Sequence, residues 1–259
     1  VGRCRTEGVV PLSPTLDTVG PMTRSLDDLM LLWSVMADPD GGVAPLPRPG
    51  DVWHIGTLDD LFGAAPEESE VSAFARAALE RWQKAGAHLS AAAARVDDAR
   101  LQAANVTGYE FRDALARCLR DDGLAVRSLT DILDGGYPHP EAMPILRERD
   151  ALRDTDGSLR TAVLGRAQTI RAEVLAALAV GSLDVLVYPS SRRAPALLGE
   201  PQRGGNGLLA AVTGLPALSV PIGFTSTGIP VGLDLLGPPG SESRLLLAAR
   251  QLDAALRAG

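Results

Sequence analysis

The run Asp184-Val185-Leu186-Val187-Tyr188, closed by Pro189, constrains the fold more than any other stretch of this 259-residue chain. Its side chains do not alternate between apolar and polar. A strand that reads this way has to be covered on both faces, which places it in the middle of a sheet flanked by other elements. The proline then withdraws a backbone donor and ends the ladder.

The surrounding pattern supplies the flanking elements. Val52-Trp53-His54-Ile55-Gly56 reads as a short strand. Residues 69–86 follow with Val71, Phe74, Ala78, Trp82 and Ala85 at helical spacing, Gly86 stops the helix, and Ala87 to Leu89 begin another strand. Strand, helix, strand is the order that builds an α/β layer through a crossover connection. Residues 24–37 also carry a helical stripe through Leu26, Leu29, Met30, Trp33 and Met36 or Ala37, with Ser25 as N-cap and Asp27 and Asp28 in the first turn, where the helix dipole favours carboxylates. The Pro- and Gly-rich residues 38–50 read as a surface loop. From Asp97 to about Val180 the chain is helix-rich, with a capped start at Ser128 and turns at Gly135-Gly136 and at residues 137–140. Strands over 216–221 and 230–237 flank a turn at Thr225 to Gly228, and a helix over 241–257 turns Leu245, Leu246, Ala249, Leu252 and Leu256 inward. The expected fold class is α/β, one domain whose mixed sheet is covered by many helices.

Composition narrows the function classes. A hydrophobic fraction of 46% in a chain of this length supports a substantial core. The net charge of −7 is spread over interspersed acidic and basic residues, so no basic stripe is set out for a nucleic acid. Cys4 and Cys118 are far apart and form no CxxC, which argues for a reduced, cytoplasmic setting and against a disulfide framework. His54, His88 and His139 stand singly, so neither a metal nor a cofactor is expected. No apolar run reaches the roughly 18–20 residues that span a bilayer.

A serine hydrolase needs a hydroxyl, a base to take its proton and backbone donors for the oxyanion, commonly in a Gly-rich turn. No Gly-Gly-Ser run exists: Gly41-Gly42 precedes Val, Gly135-Gly136 precedes Tyr, and Gly204-Gly205 precedes Asn. Lys84, the single lysine among 25 basic residues, falls late in the 69–86 helix and reads as a solvated surface residue. Ser13, Ser190 and Ser191 each lack both a base and a glycine turn. Ser190, Ser191 and Asn206 fall in loops after the 184–188 strand and before the 216–221 strand, where α/β folds place ligand contacts, and are the candidate substrate-pocket residues. Asp17 and Arg24 are expected to form a structural ion pair between the N-terminal loop and the first helix.

Several blocks carry a family resemblance. Gly2-Arg3, Gly8 to Leu12, the SPTLDT of residues 13–18, and Gly20-Pro21-Met22 with Arg24 resemble the segment of the amidase signature family that follows its Gly/Ser-rich signature. Asp184 to Pro189, Ala194-Pro195, Gly214-Leu215-Pro216-Ala217 with Pro221, and Gly228 to Leu233 resemble the family's later strands. Tyr109-Glu110-Phe111 and the segment from Ser128 to Leu133 resemble a bacterial-type subgroup. The chain departs from the pattern at Ala211, where the family usually has Asn, at Ser190, where it has Thr, and at Arg192-Arg193, where small or apolar residues are common. These departures bear on the substrate pocket, not on the fold.

The resemblance implies that residues 1–259 are the C-terminal portion of a single amidase domain, acting on a small-molecule amide and compatible with a homo-oligomer. It also implies that the catalytic Ser, cis-Ser and Lys lie upstream of Val1, so that no catalytic residue is present and the chain is inactive alone. Two alternatives are a non-catalytic scaffold of amidase descent and an amidotransferase A-type subunit.

Overall fold

The computed structural model describes residues 2–38, 52–121, 123 and 125–258. The expected loop over 38–50 therefore lies almost wholly outside the described residues. Five strands form one mixed sheet: β1 (His54–Thr57), β2 (His88–Ala91), β3 (Val185–Pro189), β4 (Ala217–Phe224) and β5 (Pro230–Leu236). Their order across the sheet is β2-β1-β3-β5-β4. β1 runs parallel to both β2 and β3, while β5 runs antiparallel to β3 and β4.

The central strand is the one the sequence singles out. All five residues of β3 are buried, and both of its edges are paired, to β1 on one side and β5 on the other. The β4–β5 hairpin turns back at Thr225, whose carbonyl accepts from the Gly228 N–H at 2.9 Å, with Gly228 at φ +81°. Glycine occupies that left-handed position without a Cβ penalty.

Helices cover the sheet. α1 (Leu26–Met36) starts where expected, Ser25 accepting from the Asp28 N–H at 3.1 Å. Its stripe is only partly covered: Leu29 is buried, but Leu31 and Val35 are 67% and 78% exposed. α2 (Ser69–Lys84) joins β1 to β2 and buries Val71, Ala75, Ala78, Leu79 and Trp82. Ala75 and Leu79 take the inward places; Phe74 is half-buried and Ala85, just past the last turn, is exposed. The fully buried Trp82 donates its indole N–H to Gln251 at 2.7 Å, locking α2 to α9 (Glu242–Arg257), the final helix. The helix-rich middle resolves into α3 (Asp98–Ala103), α4 (Thr107–Asp121), α5 (Leu129–Asp134), α6 (Met143–Ala151) and α7 (Ser158–Val180), and a short α8 (Leu208–Thr213) precedes β4.

Glu110, on α4, ties the N-terminal loop to this helical cover. It is 6% exposed and accepts from Ser13 Oγ at 2.6 Å, Thr15 Oγ1 at 2.6 Å, the Thr15 N–H at 3.1 Å and Arg160 Nε at 2.9 Å. Burial alone would raise its pKa, but the hydrogen bonds from Ser13, Thr15 and Arg160 outweigh it and hold the carboxyl below its usual value. The expected Asp17–Arg24 pair does not form. Asp17 instead accepts the backbone N–H groups of Leu12 and Ser13 at 2.9 and 3.0 Å, because an Asp beside a turn satisfies local donors more readily than it reaches a distant guanidinium.

Removing the Glu110 carboxylate leaves a buried serine and an arginine without their acceptor. Glu110→Ala is expected to lose about 2–4 kcal/mol of stability in urea unfolding at pH 7. Because the folded carboxyl is depressed, this contribution is present above the unfolded value of about 4.3 and is lost as pH falls through the folded value, so the gap between wild type and variant closes in acid.

Candidate functional site

Ser190 leaves the end of β3 with its N–H bonded to the Gly232 carbonyl at 2.9 Å. That bond turns its hydroxyl toward the neighbouring strand. Ser190 Oγ donates to Asp234 Oδ1 at 2.5 Å and lies 2.7 Å from Ser219 Oγ. The sheet register explains the convergence: Tyr188 on β3, Asp234 on β5 and Ser219 on β4 form one cross-strand row on one face. Gly232 makes room in the next row, since a Cβ there would stand 2.6 Å from Ser190 Oγ and 3.0 Å from Ser219 Oγ.

The row is polar but sunken. Asp234 is 8% exposed and Tyr188 wholly buried, whereas Ser219 is exposed on the outer strand. Burial pushes the Asp234 carboxyl above its usual value, with the Ser190 and Ser219 hydroxyls pulling the other way. Burial, helped by the Asp234 charge, drives the Tyr188 phenol well above its usual value.

A second cluster lies beside it. Ser191 bridges to Gly205, and its hydroxyl donates to the Arg193 carbonyl at 2.9 Å. Asn206 is fully buried; its amide donates to the Leu61 and Pro189 carbonyls at 2.8 and 2.7 Å, and its oxygen accepts from Arg192 at 3.0 Å. Arg192 also reaches Glu68 at 3.2 Å and Asp98 at 2.5 Å, and Arg193 pairs with Glu67 at 2.8 Å. The arginine doublet is thus matched by acidic residues at the starts of α2 and α3. Burial would raise Glu68, but the Ala65 N–H and Arg192 bonds hold it low.

Of the three expected pocket residues, the structure brings Ser190 to the partly exposed row, places Ser191 in the adjoining loop, and commits the Asn206 side chain to backbone carbonyls and Arg192. Ser219 and Asp234 join Ser190 without any local signal in the sequence. Their alternation with buried neighbours along β4 and β5 is the one trace of it. Lys84 is exposed at the end of α2, and Ser13 is engaged by Glu110. His54 and His88, single in the sequence, face each other across β1 and β2 with ring centroids 5.4 Å apart. Among the described residues no group of three or more His, Cys, Asp or Glu is placed to hold a metal, and no helix is long and apolar enough to cross a membrane.

A cavity of about 320 Å³ opens next to the row, between the N-terminal loop, α1, α8, β4 and α9. Leu16, Trp33, Ala211, Ala217 and Leu246 line it. Ala217 stands two residues from Ser219 on the same face of β4, so the apolar groove and the polar row adjoin.

Burial of the Asp234 carboxyl makes stability depend on pH. Its folded state binds a proton more readily than the unfolded chain, so stability falls as pH rises from the unfolded value of about 3.9 through the folded one. Asp234→Asn, which keeps an acceptor for Ser190, is expected to raise the melting temperature at pH 7 and to lose that advantage below about pH 4. An equal effect at both pH values would show that the Asp234 charge is not penalised.

Known proteins share this fold. The sequence profile of the Amidase family matches residues 1–246. The chain is 28% identical to 2-amino-5-chloromuconic acid deaminase of Comamonas testosteroni, over 100% of this chain and 55% of that protein. It is 30% identical to the A-type subunit of the glutamyl-tRNA(Gln) amidotransferase of Myxococcus xanthus, over 96% of this chain and 57% of that protein. The native peptide amidase of Stenotrophomonas maltophilia superposes with a TM-score of 0.80 at 25% identity, covering 99% of this chain and 57% of that one. The chain spans about half the length of the curated relatives it matches. With a profile match that takes in all five strands and both polar clusters, the chain belongs to the Amidase family.

Proposed function

We propose that residues 1–259 form the C-terminal portion of one amidase domain, and that the whole domain hydrolyses the C–N bond of a small-molecule amide. The carrying observation is that the chain has the fold of about half of a peptide amidase while the candidate serines Ser13, Ser190 and Ser191 are each engaged by another group. Ser13 Oγ donates to Glu110, Ser190 Oγ to Asp234 and Ser191 Oγ to a carbonyl, and the single lysine is exposed on α2. None of these hydroxyls has the nucleophile's environment, which requires a positioned base and preorganised oxyanion donors. The nucleophilic Ser, the cis-Ser and the Lys base are therefore proposed to lie on residues preceding Val1.

The surface offers a place for that part of the domain. β4 has no partner on its outer side among the described residues, the apolar groove is bounded by the N-terminal loop and α1, and α1 leaves Leu31 and Val35 exposed. A helix apolar on more than one side, and an open strand edge, both call for cover. The flanks of β3, by contrast, are closed within this chain, which leaves β4 and β2 as the outer edges, and of these β4 is the one beside the groove.

An amidotransferase A-type subunit is a second reading, favoured by the relative from Myxococcus xanthus. Recovery of stable partner subunits with the extended protein would support it over a free-standing hydrolase.

The test is to extend the chain with the coding sequence immediately upstream and to compare amide turnover with that of the 259-residue chain. The extended protein is expected to release ammonia from simple amides, and the shorter chain to lie on the order of 10⁶-fold lower, as expected when nucleophile and base are removed together. Equal turnover by the 259-residue chain would overturn the proposal.

A further inference from the structure

Among the described residues three carboxylates are buried to less than 9% exposure, and two of them meet an arginine: Glu68 meets Arg192 and Glu110 meets Arg160. Asp234 is the third. Among the described residues no basic side chain pairs with it, and its hydrogen bonds come only from the neutral hydroxyls of Ser190 and Ser219. A buried anion without a counter-charge is costly, and a cation that donates hydrogen bonds relieves that cost directly.

A second observation points the same way. The Tyr188 hydroxyl, in the same cross-strand row, is buried and makes no hydrogen bond. The face is reached from outside through Ser219, which is exposed, and Gly232, having no Cβ, leaves the Ser190 and Ser219 hydroxyls room to converge beside Asp234. The convergent atoms are all oxygens: a carboxylate and two hydroxyls, with a phenol near by. A primary ammonium carries three N–H donors and one positive charge on a compact head, which suits several oxygen acceptors around one anion.

We propose that Ser190, Ser219 and Asp234 form a binding site for a primary ammonium group, entered from the outer face of β4. Asp234 supplies the counter-charge, Ser219 an acceptor at the mouth, and Ser190 holds the carboxylate in place. The group reaches the site either as a small free amine or as a lysine side chain of another polypeptide segment lying on β4. The site depends on the geometry of this chain and not on amide hydrolysis, so it and the proposed activity fail separately.

The test follows the Asp234 side-chain carboxyl carbon by NMR in the 259-residue chain while methylammonium, Nα-acetyl-lysine methylamide or tetramethylammonium replaces sodium at constant ionic strength. Methylammonium is expected to move the titration midpoint of Asp234 downward in a saturable way, and tetramethylammonium, which has no N–H, to leave it in place. Ser219→Ala is expected to weaken the effect ~tenfold, the loss of about one hydrogen bond to a charged group. Asp234→Asn is expected to abolish thermal stabilisation by methylammonium. A response to the lysine derivative equal to that of methylammonium assigns the site to a polypeptide lysine as well; a response to methylammonium alone assigns it to small amines. A midpoint unmoved by both amines, or moved equally by tetramethylammonium, overturns the proposal.

Discussion

Everything in this fold is arranged around β3. A strand buried on both faces and paired along both edges is penalised for a polar side chain or a shift of register, since either strands a donor or turns an apolar residue toward nothing, and β3 carries one such group, the unbonded Tyr188 hydroxyl. Four of its residues, Val185, Leu186, Val187 and Tyr188, have no exposed surface at all. The parallel β1–β2 unit is fastened to one side and the β5–β4 hairpin to the other. Both outer strands, β2 and β4, lack a second partner among the described residues, and the candidate site features collect on the β4 side.

Charge holds the loops onto that sheet. Glu110 gathers the N-terminal loop and α7, and Arg192 gathers the starts of α2 and α3 and the loop before α8. In both, the buried charge is matched by an opposite one and by further hydrogen bonds, the condition under which a buried ion pair is tolerated. Asp234 breaks that rule. A carboxylate kept in a sunken row with hydroxyls alone is expected to lower stability at neutral pH, the kind of locally unfavourable arrangement that proteins keep where a ligand or a partner is to be met.

Much of the fold could be read from local pattern. The β3 run, the α2 stripe, the N-caps at Ser25 and Ser128 and the α9 face all rest on residues a few positions apart, and each element formed where its period placed it. The exceptions have a common cause. The insertion of β5 between β3 and β4, and the meeting of Ser190, Ser219 and Asp234, depend on strands 29 to 44 residues apart, which no local period encodes. α8 spans only Leu208–Thr213, too short for a periodic signal. Arg192 and Arg193 stand out in the sequence as an intrusion, but their acidic partners at positions 67, 68 and 98 become visible only when the helix starts are brought together.

Amide hydrogen exchange on the 259-residue chain separates the closed centre from the open edge most directly. The amides of Val185 to Tyr188 are expected to exchange slowest, through global unfolding, while those β4 amides that do not pair with β5 exchange orders of magnitude faster through the native state. Protection of all β4 amides at the level of β3 would contradict an open edge, and with it the proposal that the remainder of an amidase domain packs on that flank.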